Sequence, residues 1–191
     1  MKSVTGLVLA GGRSSRMGTN KALLQLNGET LLERAGRKLS AAGCKKILVS
    51  GDYPGYDCVK DEGFLGPLAG ISAGLQACET ARMLVLPVDM PFMMSELLHL
   101  LTTFGTDSHG LFYSNQPFPL LLNNNHENRS LLLSMLAPDV PENERSLFRF
   151  IRMAGFTSLP ISPRYDYCFQ NTNTPDEWQD CQNQLNGTYK G

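Results

Sequence analysis

The chain has 191 residues, 42% hydrophobic and 18% charged, with a formal net charge of -1. That length suits one domain with a sizeable core, and the near-neutral balance excludes the broad basic face that nucleic-acid binding demands. No apolar run reaches the ~20 residues of a membrane span.

The first apolar run, "VTGLVLA" (residues 4 to 10), reads as a strand buried on both faces of a parallel sheet. It is too short for a signal-peptide core, and Gly-Gly-Arg follows it without a small-residue cleavage pattern. The loop that follows, within "LAGGRSSRMGTNK" (9 to 21), holds three glycines and three cations, and the first acid of the chain is Glu29. A bendable backbone with only positive charge at a strand end suits a phosphate chain.

Asn27-Gly28 marks a tight turn, and Thr30 with Glu33 has capping-box spacing, so a helix is expected from about Leu31 to Ala42, stopped by Gly43. "KKILVS" (45 to 50) reads as a second buried strand and "CVKD" (58 to 61) as a short third. Helical spacing runs from Ile71 to Ala81, after "GPLAG". "RMLVLPVDMP" (82 to 91) is the most apolar strand candidate and stops at Asp89, and Ser95 is placed to cap "ELLHLLTTF". The alternation of strands and helices predicts an α/β fold, a doubly wound, mostly parallel sheet with helices on both faces and its ligand at the carboxyl ends of the strands.

In the second half, "GLFYS" and "FPLLLN" are expected to pair as antiparallel strands, with helices at "RSLLLSMLA" and "RSLFRFIRMAG". Thr174, Pro175 and Glu177 spell a second capping box ahead of a last helix, "PDEWQDCQNQL". No linker or composition break divides the chain, so residues 1–191 are read as one domain, with a nucleotide-binding part over about 1–105 and an acceptor-binding part over about 106–191. The five cysteines form no CxxC pair, which indicates neither a zinc site nor a disulfide framework and suits a reducing cytoplasm.

A Walker A loop is excluded because five residues separate Gly12 from Gly18 and Lys21 lies beyond Thr19. A dinucleotide fingerprint is disfavoured because the loop runs into the Asn-Gly hairpin instead of opening a helix. The loop, with "GPLAGI" (66 to 71), "LPVDMP" (86 to 91) and "NTNTP" (171 to 175), resembles the molybdenum cofactor guanylyltransferase family across nearly the whole chain.

That resemblance implies a Rossmann-like nucleotide-diphospho-sugar transferase fold and transfer of GMP from GTP to the terminal phosphate of molybdopterin, with release of pyrophosphate. It implies that Leu9, Ala10, Gly11 and Gly12 lie against the nucleotide, that Arg16 and Lys21 face its phosphates, and that Asp89 holds Mg²⁺. By the same resemblance Gly66, Pro67, Leu68, Ala69 and Gly70 run beside the base, Ser50 ends a strand at the nucleotide, and Asn171 and Asn173 approach the metal and the second substrate. Asp61 has the chemistry to accept hydrogens from N1 and N2 of guanine. Partners by resemblance are cofactor-insertion chaperones and apo-molybdoenzymes in the cytoplasm, with no nucleic acid or membrane.

Departures from the family pattern are Asn20, where an aspartate is usual, Ser50 in place of an asparagine, and the lack of a histidine-proline pair at "QPFPLLLN". Because the loop and Asp89 would serve any nucleoside triphosphate, a related transferase using CTP or a sugar-phosphate acceptor stays open, and Asn20 and Ser50 leave open a nucleotide-binding protein without catalysis.

Overall fold

The computed structural model describes residues 3–11, 20–60, 66–105 and 107–187. The first half runs β1 (Val4–Leu9), a 3-10 turn (Lys21–Leu23), β2 (Gln25–Leu26), β3 (Glu29–Thr30), α1 (Leu31–Ala41), β4 (Cys44–Ser50), β5 (Asp57–Val59), α2 (Pro67–Ala77) and β6 (Arg82–Pro87). Then follow α3 (Ser95–Thr103), β7 (Gly110–Tyr113), β8 (Gln116–Asn123), α4 (His126–Met135), α5 (Leu147–Met153), β9 (Thr157–Leu159), a 3-10 segment (Pro163–Phe169) and α6 (Pro175–Gly187).

Seven strands form one sheet in the order β5-β4-β1-β6-β8-β7-β9. β5, β4, β1 and β6 are parallel neighbours, β8 runs antiparallel to both β6 and β7, and β9 joins β7 in parallel. All six residues of β1 are buried, as its unbroken apolar run predicts. Their side chains alternate between two core layers. Val4 and Val8 pack with Leu31, Ala35 and Leu39 of α1 and with Leu98 and Leu101 of α3. Leu7 and Leu9 pack on the opposite face with Leu68, Ile71 and Leu75 of α2 and with Leu132 of α4. The α/β fold with a mostly parallel sheet agrees with the expectation from the sequence. Among the described residues no helix is long and apolar enough to cross a membrane.

From β1 the chain crosses through α1 to β4 on one side, and from β5 it crosses through α2 to β6 on the other. The connections therefore change direction between β1 and β6, and such a switch point opens a crevice at the carboxyl ends of the strands. Leu9 stands opposite both Ser50 and Pro87, so three strands end level with one another at that crevice.

Several boundaries differ from those expected. α2 begins at Pro67, four residues before Ile71, because proline's fixed φ suits a first helical position; "GPLAG" thus leads into and forms the first turn of the helix. Ser95 is the first residue of α3 and Met94 stands at its N-cap without a side-chain bond, so Ser95 does not cap it. α4 starts ahead of Arg129 because Asn125 accepts from Asn128 N, and α5 starts at Leu147 because Ser146 accepts from Arg149 N. β9 and the 3-10 segment were not expected; three residues carry too little period to read as a strand.

Asn27 (φ 56°) and Gly28 (φ 78°) form the tight turn between β2 and β3. The capping box of α1 is complete: Thr30 Oγ1 accepts from Glu33 N at 3.1 Å and Glu33 Oε2 accepts from Thr30 N at 2.7 Å. One turn further along α1, Lys38 is 7% exposed and donates from Nζ to Pro91 O at 2.6 Å. Arg34 Nε donates to the same carbonyl at 3.1 Å. Two cations of α1 thereby hold the loop that leaves β6. Burial, with the Arg34 and Arg37 guanidinium groups nearby, pushes the Lys38 ammonium down to about 7.

Thr30→Ala removes the cap of α1 and is expected to lower stability by about 0.5–2 kcal/mol in urea unfolding. For Lys38, the folded group titrates near 7 and the unfolded one near 10.5, so between those values the folded chain binds fewer protons. Stability should rise with pH across that window, by at most about 1.4 kcal/mol per unit, and Lys38→Met should flatten the rise when urea midpoints are compared from pH 6.5 to 9.5.

Candidate active site

Lys21 opens the 3-10 turn that follows the cationic loop. Asn20 caps this turn, its Oδ1 accepting from Ala22 N at 3.1 Å. This amide does the capping without adding charge beside Lys21. Asp89 lies in the turn just beyond β6. Val88 N donates to Leu9 O at 3.1 Å, which continues the β1–β6 ladder past Pro87 and delivers Asp89 at the edge of the crevice.

The third contribution comes from the far end of the chain. Thr172 N donates to Asp89 O at 3.0 Å, pinning "NTNTP" against the Asp89 loop. In the capping box of α6, Thr174 Oγ1 accepts from Glu177 N at 3.2 Å and Glu177 Oε2 accepts from Thr174 N at 3.0 Å. The same carboxylate oxygen accepts from Asn173 N. These bonds turn the Asn173 side chain toward Lys21, whose Nζ donates to Asn173 Oδ1 at 3.1 Å and stands 3.6 Å from Asp89 Oδ2.

Residues 21, 89 and 173 thus meet in one constellation. The side chains of Lys21 and Asp89 are 12% and 25% exposed, so water reaches both without fully solvating either. Burial pushes the Lys21 ammonium down, and the Asp89 carboxylate beside it opposes that. Burial pushes the Asp89 carboxyl up, and Lys21 opposes that too. Hydrogen bonds from the backbone at Asn173 hold Glu177 below the usual carboxylate range.

Of the other expected site residues, Leu9 ends β1 buried, and just beyond it Ala10 is half-buried and Gly11 exposed. Gly12, Arg16 and Asp61 lie outside the described residues. Ser50 is 1% exposed and packs against α2, where a Cβ on Gly70 would come 2.7 Å from Ser50 Oγ and 2.9 Å from Leu9 Cδ2. Gly70 therefore serves a close approach of helix to sheet. Leu68 and Ala69 are buried with it, while Gly66 and Pro67 face solvent. Asn171 is exposed, and Asn173 is part of the constellation.

Three participants were not singled out as site residues from the sequence. Glu177 was legible as a cap, but its second bond, to Asn173 N, depends on how the chain enters α6. Thr172 is buried, and Tyr53 reaches the loop ends through its hydroxyl; no spacing in "GDYPGY" signals that. Among the described residues there is no group of three or more His, Cys, Asp or Glu able to hold a metal by themselves. His99, His109 and His126 contact Ala42 O, Asn125 and Ser130, away from Lys21 and Asp89.

A family model described as a MobA-like NTP transferase domain matches residues 6–151. A molybdenum cofactor guanylyltransferase from Xanthomonas euvesicatoria pv. vesicatoria is 34% identical over 176 residues, covering 91% of this chain and 92% of that protein. One from Yersinia pestis is 32% identical over 193 residues, covering 93% and 95%. Among solved structures, molybdopterin-guanine dinucleotide biosynthesis protein A from Archaeoglobus fulgidus matches with a TM-score of 0.75 over 96% of this chain and 99% of that one, at 21% identity, a likeness of fold. Lys21, Asp89 and the crevice between β1 and β6 all fall inside the matched range, so the chain belongs to the MobA-like NTP transferase family and is a nucleotidyltransferase.

Proposed function

We propose that the protein transfers GMP from GTP to the terminal phosphate of molybdopterin, releasing pyrophosphate and forming the guanine dinucleotide cofactor. The observation that carries this reading is the meeting of Lys21, Asp89 and Asn173, with Lys21 ending the cationic stretch in sequence and Asp89 just past β6. The names of the relatives that align over nine-tenths of the chain support the choice of guanylyl transfer.

In this reaction an anionic oxygen of the acceptor phosphate bonds to the α-phosphorus while the bond from that phosphorus to the α,β-bridging oxygen breaks. The nucleophile carries no proton that must be removed. A site built from a cation, a carboxylate and an amide suits such chemistry, because catalysis rests on positioning and charge neutralisation.

Lys21 neutralises the triphosphate and the departing pyrophosphate, with Arg16 of the loop assigned the same task. Asn171 and Asn173 orient the groups that meet at the α-phosphate. Asp89 offers a single carboxylate, a donor set that fits Mg²⁺ carried in with phosphates and water better than a resident metal cage. When bound, that ion supplies charge neutralisation at the α-phosphate. On the base side, Asp61 provides the acceptor chemistry for guanine, and Gly66 and Pro67 are the solvent-facing part of their segment. The product would pass to insertion chaperones and apo-molybdoenzymes in the cytoplasm.

Calorimetric titration with GTP, CTP, ATP and UTP in Mg²⁺, followed by a pyrophosphate-release assay with molybdopterin, tests the reading. GTP selectivity is expected, with Asp89→Ala lowering turnover on the order of 10²–10³-fold while circular dichroism remains native, and Lys21→Ala weakening nucleotide binding. Preference for CTP would move the chain to cytidylyl transfer. Nucleotide binding without pyrophosphate release would make it a carrier, and full turnover by a folded Asp89→Ala protein would remove Asp89 from the reaction.

A further inference from the structure

Tyr53, in the loop between β4 and β5, has no part in the reaction described so far. It is 8% exposed, and its hydroxyl lies 2.9 Å from Ala10 O and 3.2 Å from Asn20 Oδ1. Residues 10 and 20 flank the cationic loop, so one hydroxyl reaches both ends of it. The orientation of the Asn20 amide is set by the bond its oxygen accepts from Ala22 N. Both neighbours are therefore acceptors, and the single phenolic proton is shared between them.

Local backbone holds the ring in place. Tyr53 N donates to Cys58 Sγ at 3.2 Å, and Gly51 has φ 133°, with a Cβ there placed only 2.6 Å from Tyr53 Cε2. A side chain at residue 51 would both strain the backbone and displace the ring. Burial pushes the Tyr53 hydroxyl up, which keeps it a donor at neutral pH.

We infer that Tyr53 is a positioning residue for the nucleotide: through Asn20 it locks the turn carrying Lys21 against the end of β1, fixing where that lysine meets the triphosphate. The inference rests on the nucleotidyl-transfer reading above and extends it to a residue outside the four motifs. It also explains how the neutral Asn20 suffices. The amide oxygen takes two hydrogen bonds, from Ala22 N and Tyr53, and leaves Lys21 free of a second acid at its own turn.

The test compares wild type, Tyr53→Phe, Asn20→Ala and the double variant by steady-state pyrophosphate release, varying Mg-GTP and molybdopterin separately, with a thermal melt of each. Tyr53→Phe should raise KM for GTP about fivefold, the size of one hydroxyl hydrogen bond, and leave KM for molybdopterin within about twofold. The double variant should lose less than the product of the two single losses, as coupled partners do. A role limited to packing would lower the melting temperature and move both KM values together, and that outcome overturns the inference. So does an unchanged KM for GTP in Tyr53→Phe when the wild type turns over normally, with the proposed function left standing. Absence of nucleotide binding and pyrophosphate release in the wild type would overturn the functional reading and this inference with it.

Discussion

Burial of β1 on both faces is the constraint from which the remaining geometry follows. A strand that packs Val4 and Val8 against one pair of helices and Leu7 and Leu9 against another has no polar face to lend to function. Chemistry is displaced to its carboxyl end. Because β4 and β6 run parallel to it in register, with Leu9 opposite Ser50 and Pro87, their own ends arrive at the same level. The residues that follow Leu9, Ser50 and Pro87 therefore leave the sheet at one level.

That logic explains which parts could be read in advance. The apolar runs of β1, β4 and β6, the Asn27-Gly28 turn and both capping boxes are local signals, and they put Asp89 just past β6 and the cationic stretch that ends at Lys21 after its neighbour β1 in the sequence. The arrival of Asn173 beside them was harder to see. It depends on the backbone bond from Thr172 N to Asp89 O across more than eighty residues of chain, which no local period encodes. Ser50 and Gly70 show the opposite difficulty. Their place at the end of a strand and inside a motif is legible, but their mutual close packing is a property of the helix-sheet distance.

The second half obeys different rules from the first. β8 and β7 reverse the strand direction, and β9 is only three residues long, so the alternation that organises residues 4–87 stops at β6. Short strands, 3-10 segments and side-chain caps at Asn125 and Ser146 set the boundaries there. These are decided by single hydrogen bonds more than by hydrophobic period.

The contact between Lys21 and Asp89 has a consequence for selectivity. Lys21 Nζ and Asp89 Oδ2 stand 3.6 Å apart, so each charge partly offsets the field of the other at that point. A lone divalent ion gains the carboxylate but is repelled by the ammonium, and a lone phosphate meets the reverse. A ligand bearing both signs in the right order satisfies each half and separates the pair. On the proposed reading, the ion pair is a charge template that favours a metal-phosphate complex over either component alone.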